Sequence, residues 1–261
     1  MGEGMGDIYQ EMIKASQEIA ASFPPPRFYA CCQEWLSISR NIYENDWRVR
    51  KCRELAHKEL SEDFGHGLNH AEKVALEAGA LAYLETQKIY LAEPQYCYEA
   101  GLLAQIAGLL HDLRRGAENH AQAGAAAAKL ILKDINFLSA EKEGYVAQAI
   151  SNHEAFMEPQ EIDTPLGQIV SDALYDADKF RWGPDNFTLT LWEMLRFSKA
   201  SIGRLIQRFP KGMKGIARIK DTFRSPTGKI YGPEFIDLGL QIGEKIYIYL
   251  KERFGEDDSV E

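Results

Sequence analysis

Six histidines occur in the 261-residue chain, and several stand where an imidazole needs a physical reason. His111-Asp112 closes the most apolar stretch of the sequence, where a carboxylate is costly to bury unless it is paired or bound to a metal. His70 precedes Val74, Ala78 and Leu81 at helical spacing, which turns its ring inward. His120 shares a stripe with Gly124, Ala127 and Ile131, and His153 follows Val146, Ala149 and Ile150. Asp178 follows Val170 and Leu174 at steps of four. Five helices therefore direct an imidazole or a carboxylate toward one core. This donor set suits one or two divalent ions, drawn from manganese, iron, nickel, cobalt, zinc and magnesium. A hydrolytic ion lowers the pKa of bound water and neutralises phosphoryl charge. Neighbours on a helix point about 100° apart, so His111 and Asp112 can serve one ion only near a helix end or kink. The sequence puts them at such an end.

Helices must carry these side chains, because the apolar period is helical and no convincing run of alternating strands occurs. Residues 7–60 read as amphipathic helices broken by Pro24, Pro25 and Pro26. Ser61 to Gly67 reads as a polar loop, after which Asn69 caps a helix and Glu72 completes a capping box. A nearly all-apolar helix from about Glu99 to Leu113 should be central and buried. Asn119 and Ser139 start the next two helices, the second ending near His153. Thr164-Pro165 supplies a cap and a first-turn proline for a helix reaching about Asp178. Further helices fill 186–254, interrupted near Pro210 and across Ser225 to Gly232. The expected fold is all-α in three parts. An N-terminal helical segment, 1–60, packs on the core; 61–185 forms the metal-binding domain; 186–254 is a helical, partly basic extension.

Three segments carry a family resemblance. "HGLNHAEKV" (66–74), "AGLLHDL" (107–113) and "LYDADKF" (174–180) follow one another in that order. Together they resemble the HD superfamily of metal-dependent phosphohydrolases, over roughly residues 61 to 185. An isolated His-Asp pair is a weak signal; three segments in order, each on a helix, are a strong one. The resemblance implies an HD-domain helical bundle in which His70, His111, Asp112 and Asp178 bind a first ion. His120 and His153 resemble the extra histidines of binuclear members, where the aspartate of the pair bridges both ions. Asp178 is the aspartate of the Ala-Asp step; Asp176 or Asp172 would replace it if the helix ended early. The implied activity is hydrolysis of a phosphomonoester or phosphodiester, nucleotides included, by metal-activated water. Two other readings stand beside it: a di-iron oxygenase on the same fold, and a non-catalytic module that senses a nucleotide.

A small anionic substrate needs cationic partners. Lys73, Arg114, Arg115, Lys179 and Arg181 lie near the motifs, and Arg115 or Lys73 is expected to stabilise developing charge. Asp112 and these two cations, with His66 as a substrate- or ligand-orienting group, make up the catalytic candidates. His57 sits on a polar helix and is expected to be solvated. From Arg196 to Lys229 there are ten basic residues, and Asp221 is the only acidic one. The segment thus carries +9 in a chain of net charge −9, leaving −18 elsewhere. It reads first as an extension packed against the acidic body, then as a device steering an anionic substrate; a nucleic-acid or anionic-lipid surface is a third reading.

The length suits one elaborated domain or two small ones. The net negative charge argues against the whole surface being a nucleic-acid platform. Nucleic acid is therefore not an expected partner, apart from what the basic segment allows. The longest apolar run, near Leu102 to Leu110, falls short of the roughly 20 residues a membrane span needs. Met1 to Asp7 lacks a signal peptide's basic start and apolar centre. Cys31, Cys32, Cys52 and Cys97 lack Cys-x-x-Cys spacing, which suits reduced thiols and a cytoplasmic location.

Overall fold

The computed structural model describes residues 3–60, 67–90, 93–198 and 200–255, and among these the chain is all-α. Helices α1 (Glu3–Ala21), α2 (Arg27–Cys31), α3 (Gln33–Asn45) and α4 (Trp47–Glu59) lead into the central group. That group comprises α5 (Leu68–Tyr90), α6 (Pro94–Leu110), α7 (His120–Ile135), α8 (Ala140–Ser151) and α9 (Pro165–Phe180). A π-helical turn, Asn186–Thr190, then leads to α10 (Leu191–Ser198) and α11 (Ile202–Ala217). A 3-10 turn, Arg218–Asp221, precedes the long α12 (Pro226–Phe254).

Composition explains the layering. Every residue of α6 from Ala100 to Leu110 is buried, so neighbours must surround it. Its closest partner is α5, with α3, α4, α8 and α9 completing the shell and α7 lying on α8. Gly108 sets the α5–α6 approach: a Cβ there would sit 2.6 Å from the Ala75 Cα. In the second layer α12 packs along α9, stacking Phe235 on Phe180 with ring centroids 4.1 Å apart. Helix α11 lies along α12, and Phe209 stacks on Tyr247 at 5.2 Å. Helix α1 closes this layer against α10, α12 and the π-helical turn.

The caps agree with the sequence at two places: Ser139 accepts from the Lys142 N–H and Thr164 from the Gly167 N–H. Asp46, not singled out from the sequence, caps α4 by accepting from the Arg48 N–H. Asn119 precedes α7 without a side-chain cap bond. Three boundaries differ. Asn69 does not cap α5, which already starts at Leu68, with the His70 and Ala71 N–H groups donating to the Gly67 carbonyl. Pro210 lies inside α11 and does not interrupt it. Burial of Phe209 and Ile216 on one face outweighs the lost backbone bond. Ser225 to Gly232 is a helix start: the Ser225 hydroxyl accepts from the Gly228 N–H, with Pro226 in the first turn. The chain breaks before that point, across the 3-10 turn and residues 222–224.

The basic stretch is paired with carboxylates only in part. Lys220 pairs with Asp237, but Arg204, Arg208, Lys211 and Lys214 are exposed and have no carboxylate partner among the described residues. None of the four cysteines forms a disulfide, and burial pushes the Cys52 thiol up to about 12. No helix among the described residues is long and apolar enough to cross a membrane.

Candidate metal centre

The sequence-derived donors sit at helix ends that meet. His70 is in the first turn of α5, His111 and Asp112 directly follow α6, His120 opens α7, His153 follows α8, and Asp178 is in the last turn of α9. His111 Nε2 lies 3.2 Å from His70 Nε2, 3.4 Å from Asp112 Oδ2 and 3.7 Å from Asp178 Oδ1. His70 Nε2 is 3.3 Å from Asp178 Oδ1 and 3.9 Å from Asp112 Oδ2. The other carboxylate oxygen, Asp112 Oδ1, is 3.7 Å from His153 Nε2. Two donor groups result, His70–His111–Asp178 and His111–Asp112–His153, each buried and with its ligand atoms within 4.8 Å of one another. Donors each about 2.0–2.2 Å from a shared ion stand roughly 3.0–3.5 Å apart, so these spacings could hold a metal ion.

Helix ends also fix the ring tautomers. The last carbonyls of a helix have no N–H partner within it. His111 Nδ1 donates to the Gly108 carbonyl at 2.8 Å, and His153 Nδ1 donates to the Ile150 carbonyl at 2.6 Å. A carbonyl only accepts, so each Nδ1 carries a proton and each Nε2 points into the cluster. His153 Nε2 is buried with no hydrogen-bond partner among the described residues, as an unsatisfied ligand atom would be.

The electrostatics call for positive charge at this spot. Burial works against charging His111, yet the Asp112 and Asp178 carboxylates outweigh it and raise its pKa. Burial lowers His70 to about 4, against the pull of Asp178. Burial also opposes charge on Asp178, but Lys179, His70 and His111 hold its carboxyl well below the usual range. A divalent ion answers the same demand as the imidazolium.

Lys179 is buried, and its ammonium bridges Asp178 Oδ2 at 2.5 Å and the His153 carbonyl at 2.9 Å. It thereby ties the α9 ligand to the end of α8. His120 lies beside the cluster, its ring centroid 5.2 Å from that of His153. Its Nε2 accepts from Arg115 Nη1 at 3.0 Å, and the same nitrogen of Arg115 is 3.7 Å from Asp112 Oδ1. Burial, then Arg115 and His153, lower the His120 pKa.

The alternatives to Asp178 turn elsewhere. Asp176 accepts the backbone N–H groups of Arg224 and Ser225, and Asp172 accepts from Gln168. Lys73 reaches Asp185 at 3.2 Å and Arg114 pairs with Glu59. His57 is exposed, and His66 lies outside the described residues.

Sequence reasoning missed one ionic network. Glu77, buried on α5, receives Arg181 Nη2 at 2.5 Å and the Tyr29 hydroxyl at 2.8 Å. Arg181 also bonds Asp185, which joins Lys73 to the same group. The signal was a carboxylate at position 77, seven residues beyond His70 on the inward stripe of α5. The chain matches no protein-family model, no curated protein and no solved structure.

Proposed function

We propose that this chain is a metal-dependent phosphohydrolase of the HD type, hydrolysing a phosphomonoester or phosphodiester. One observation carries the reading: the two oxygens of Asp112 face different imidazoles, Oδ2 toward His111 and His70 and Oδ1 toward His153. A carboxylate so placed suits a bridge between two divalent ions. His70, His111, Asp112 and Asp178 would hold the first, and Asp112 and His153 the second, with His120 joining if Arg115 turns away. When bound, the ions lower the pKa of coordinated water and neutralise charge on the phosphoryl group.

The protein's own groups do the rest. The Gly108 and Ile150 carbonyls orient two ligand rings. Lys179 pins Asp178 and the end of α8 together. Arg115 is partly exposed beside Asp112, where its guanidinium can fork onto phosphate oxygens. Lys73, exposed one turn beyond His70, could supply a second cation on leaving its pairing with Asp185. The test is elemental analysis of the wild type and Asp112→Ala, followed by hydrolysis of p-nitrophenyl phosphate and bis-p-nitrophenyl phosphate with manganese, cobalt, nickel and magnesium. Asp112→Ala should lose both metal and activity. Full activity in a metal-free variant overturns the proposal; oxygen uptake by the iron-loaded protein, without phosphate release, moves the site to the oxygenase reading.

A further inference from the structure

Helix α11 presents cations in a line. Arg204, Arg208, Lys211 and Lys214 are exposed, and at 100° per residue they fall within roughly 120° of arc. Arg218, just past the end of α11, extends the line to roughly 21 Å. None of the first four has a carboxylate partner among the described residues. The stripe faces away from the core, because Phe209 and Ile216 use the opposite side of the helix for internal packing.

The line ends on an aromatic ring. The Arg218 guanidinium lies over Phe156 at 4.5 Å, and Phe156 is 52% exposed. Its backbone sits at φ 65°, a conformation that bulky residues rarely adopt. Phe156 is three residues beyond His153. Arg224, from the same basic segment, donates to the Asn152 carbonyl one residue before that ligand. The cationic line thus meets the loop that leaves the metal centre.

We infer that α11, with Arg218 and Phe156, forms a binding track for single-stranded nucleic acid. Regularly spaced cations suit a chain of phosphates, and an exposed ring suits an unpaired base stacking on it. A duplex would keep its bases from Phe156. A bilayer is a poorer fit, because the apolar side of α11 is already committed to the core and has nothing to insert. The acidic remainder of the surface confines the nucleic acid to this track. Binding stands apart from the proposed hydrolysis; only the further step, that the bound strand supplies the phosphodiester cleaved at the metal centre, rests on that reading.

The test is fluorescence anisotropy of the full chain with a fluorescein-labelled 20-nucleotide oligothymidylate, in buffer without divalent ions. Four phosphate contacts on a single strand give a log–log salt slope of about −2.8, so affinity should fall about 50-fold between 50 and 200 mM salt. Arg208→Gln/Lys211→Gln should halve the slope, leaving a loss of about 7-fold over the same range. Arg204→Gln/Lys214→Gln should do the same. Phe156→Ala should weaken binding at least about fivefold without changing the slope. Circular dichroism of these surface variants should match the wild type.

No binding at 50 mM salt, or equal affinity in the neutralised variants, overturns the inference. So does salt-sensitive self-association, or co-sedimentation with phosphatidylserine-containing vesicles, that the same variants abolish while the oligonucleotide stays unbound. Hydrolysis of p-nitrophenyl esters without oligonucleotide binding removes the track alone. Oligonucleotide binding by a protein inactive on every ester removes the hydrolase reading alone.

Discussion

Gly108→Ala should damage the fold and the candidate metal centre together, because α5 and α6 touch through it. A Cβ at position 108 would lie 2.6 Å from the Ala75 Cα and 2.8 Å from the Ala75 nitrogen. Carbon atoms rest at about 3.5–4.0 Å, so the two helices must part by about 1 Å. The obstacle is backbone and cannot rotate away. Overpacking of this kind costs about 1–3 kcal/mol, offset by about 1 kcal/mol of helix propensity gained on replacing glycine. A net loss of about 1–2 kcal/mol is expected in urea unfolding followed by circular dichroism. The parting also carries His70, on α5, away from His111, three residues beyond Gly108, and widens their 3.2 Å separation. Metal affinity, read by titration calorimetry, should fall about 10–100-fold, as for other losses of ligand orientation. Gly212→Ala is the control: nothing lies within 4 Å of its added Cβ, and a gain of about 0.5–1 kcal/mol is expected. Adding Ala75→Gly should not rescue Gly108→Ala, because removing a side chain leaves the backbone in place. Wild-type stability and metal affinity in Gly108→Ala, or full rescue by Ala75→Gly, would refute the reasoning.

Three other outcomes are expected. On the proposed two-ion reading, His153→Ala should keep one ion of two by elemental analysis, because the His70–His111–Asp178 group remains whole; loss of both ions would show that the two positions fill as one. Glu77→Ala leaves the Arg181 guanidinium buried without its main partner and should cost about 3–5 kcal/mol in urea unfolding, whereas a loss under 1 kcal/mol would show that water reaches that network. Asp46→Ala removes the α4 cap and should cost about 1–2 kcal/mol at neutral pH. Burial works to raise the Asp46 pKa, but hydrogen bonds from Arg48 and Tyr98 outweigh it and lower it. A carboxyl lowered in the folded state contributes above its unfolded pKa and loses that contribution as pH falls through the folded value. The stability gap between Asp46→Ala and wild type should therefore begin to narrow near about pH 4 and shrink steadily as pH falls further, and a gap that stays constant down to the acid limit of folding would assign the cap's effect to something other than charge.

Much of the centre was legible because helical phase is a property of spacing alone. His70, His111, His153 and Asp178 each follow or precede an apolar stripe at steps of three and four, and each is buried where that phase sends it. His120 shared the same signal yet is only half-buried, because it starts its helix and Arg115 takes up its Nε2. First-turn positions have fewer neighbours to enforce a direction. The all-α fold and the Ser139 and Thr164 caps were equally local, and so were readable. Pro210 and Ser225 were misread because a proline breaks or begins a helix according to what packs around it, which depends on residues far away in sequence. The Glu77–Arg181–Asp185–Lys73 network was hidden for the same reason: its partners span more than 100 positions.

Adjacent polar residues became separable only through helix geometry. Asp176 and Asp178 are two residues apart on α9, about 200° around the axis, so one helix carries a carboxylate on each of two opposed faces. Asp178 turns to the imidazoles, while Asp176 turns to the N–H groups of Arg224 and Ser225 at the entry to α12. Burial lifts the Asp176 pKa to about 7 against those hydrogen bonds. The Gly228 position, where a side chain would strike that carboxylate, lets α12 seat against it. One short sequence, Asp-Ala-Asp-Lys, therefore presents a candidate metal ligand, the lysine that braces it, and the anchor of the C-terminal layer. The basic extension is fastened to the same stretch of α9 that supplies Asp178, through the Arg224 and Ser225 N–H bonds to Asp176 and the stacking of Phe235 on Phe180.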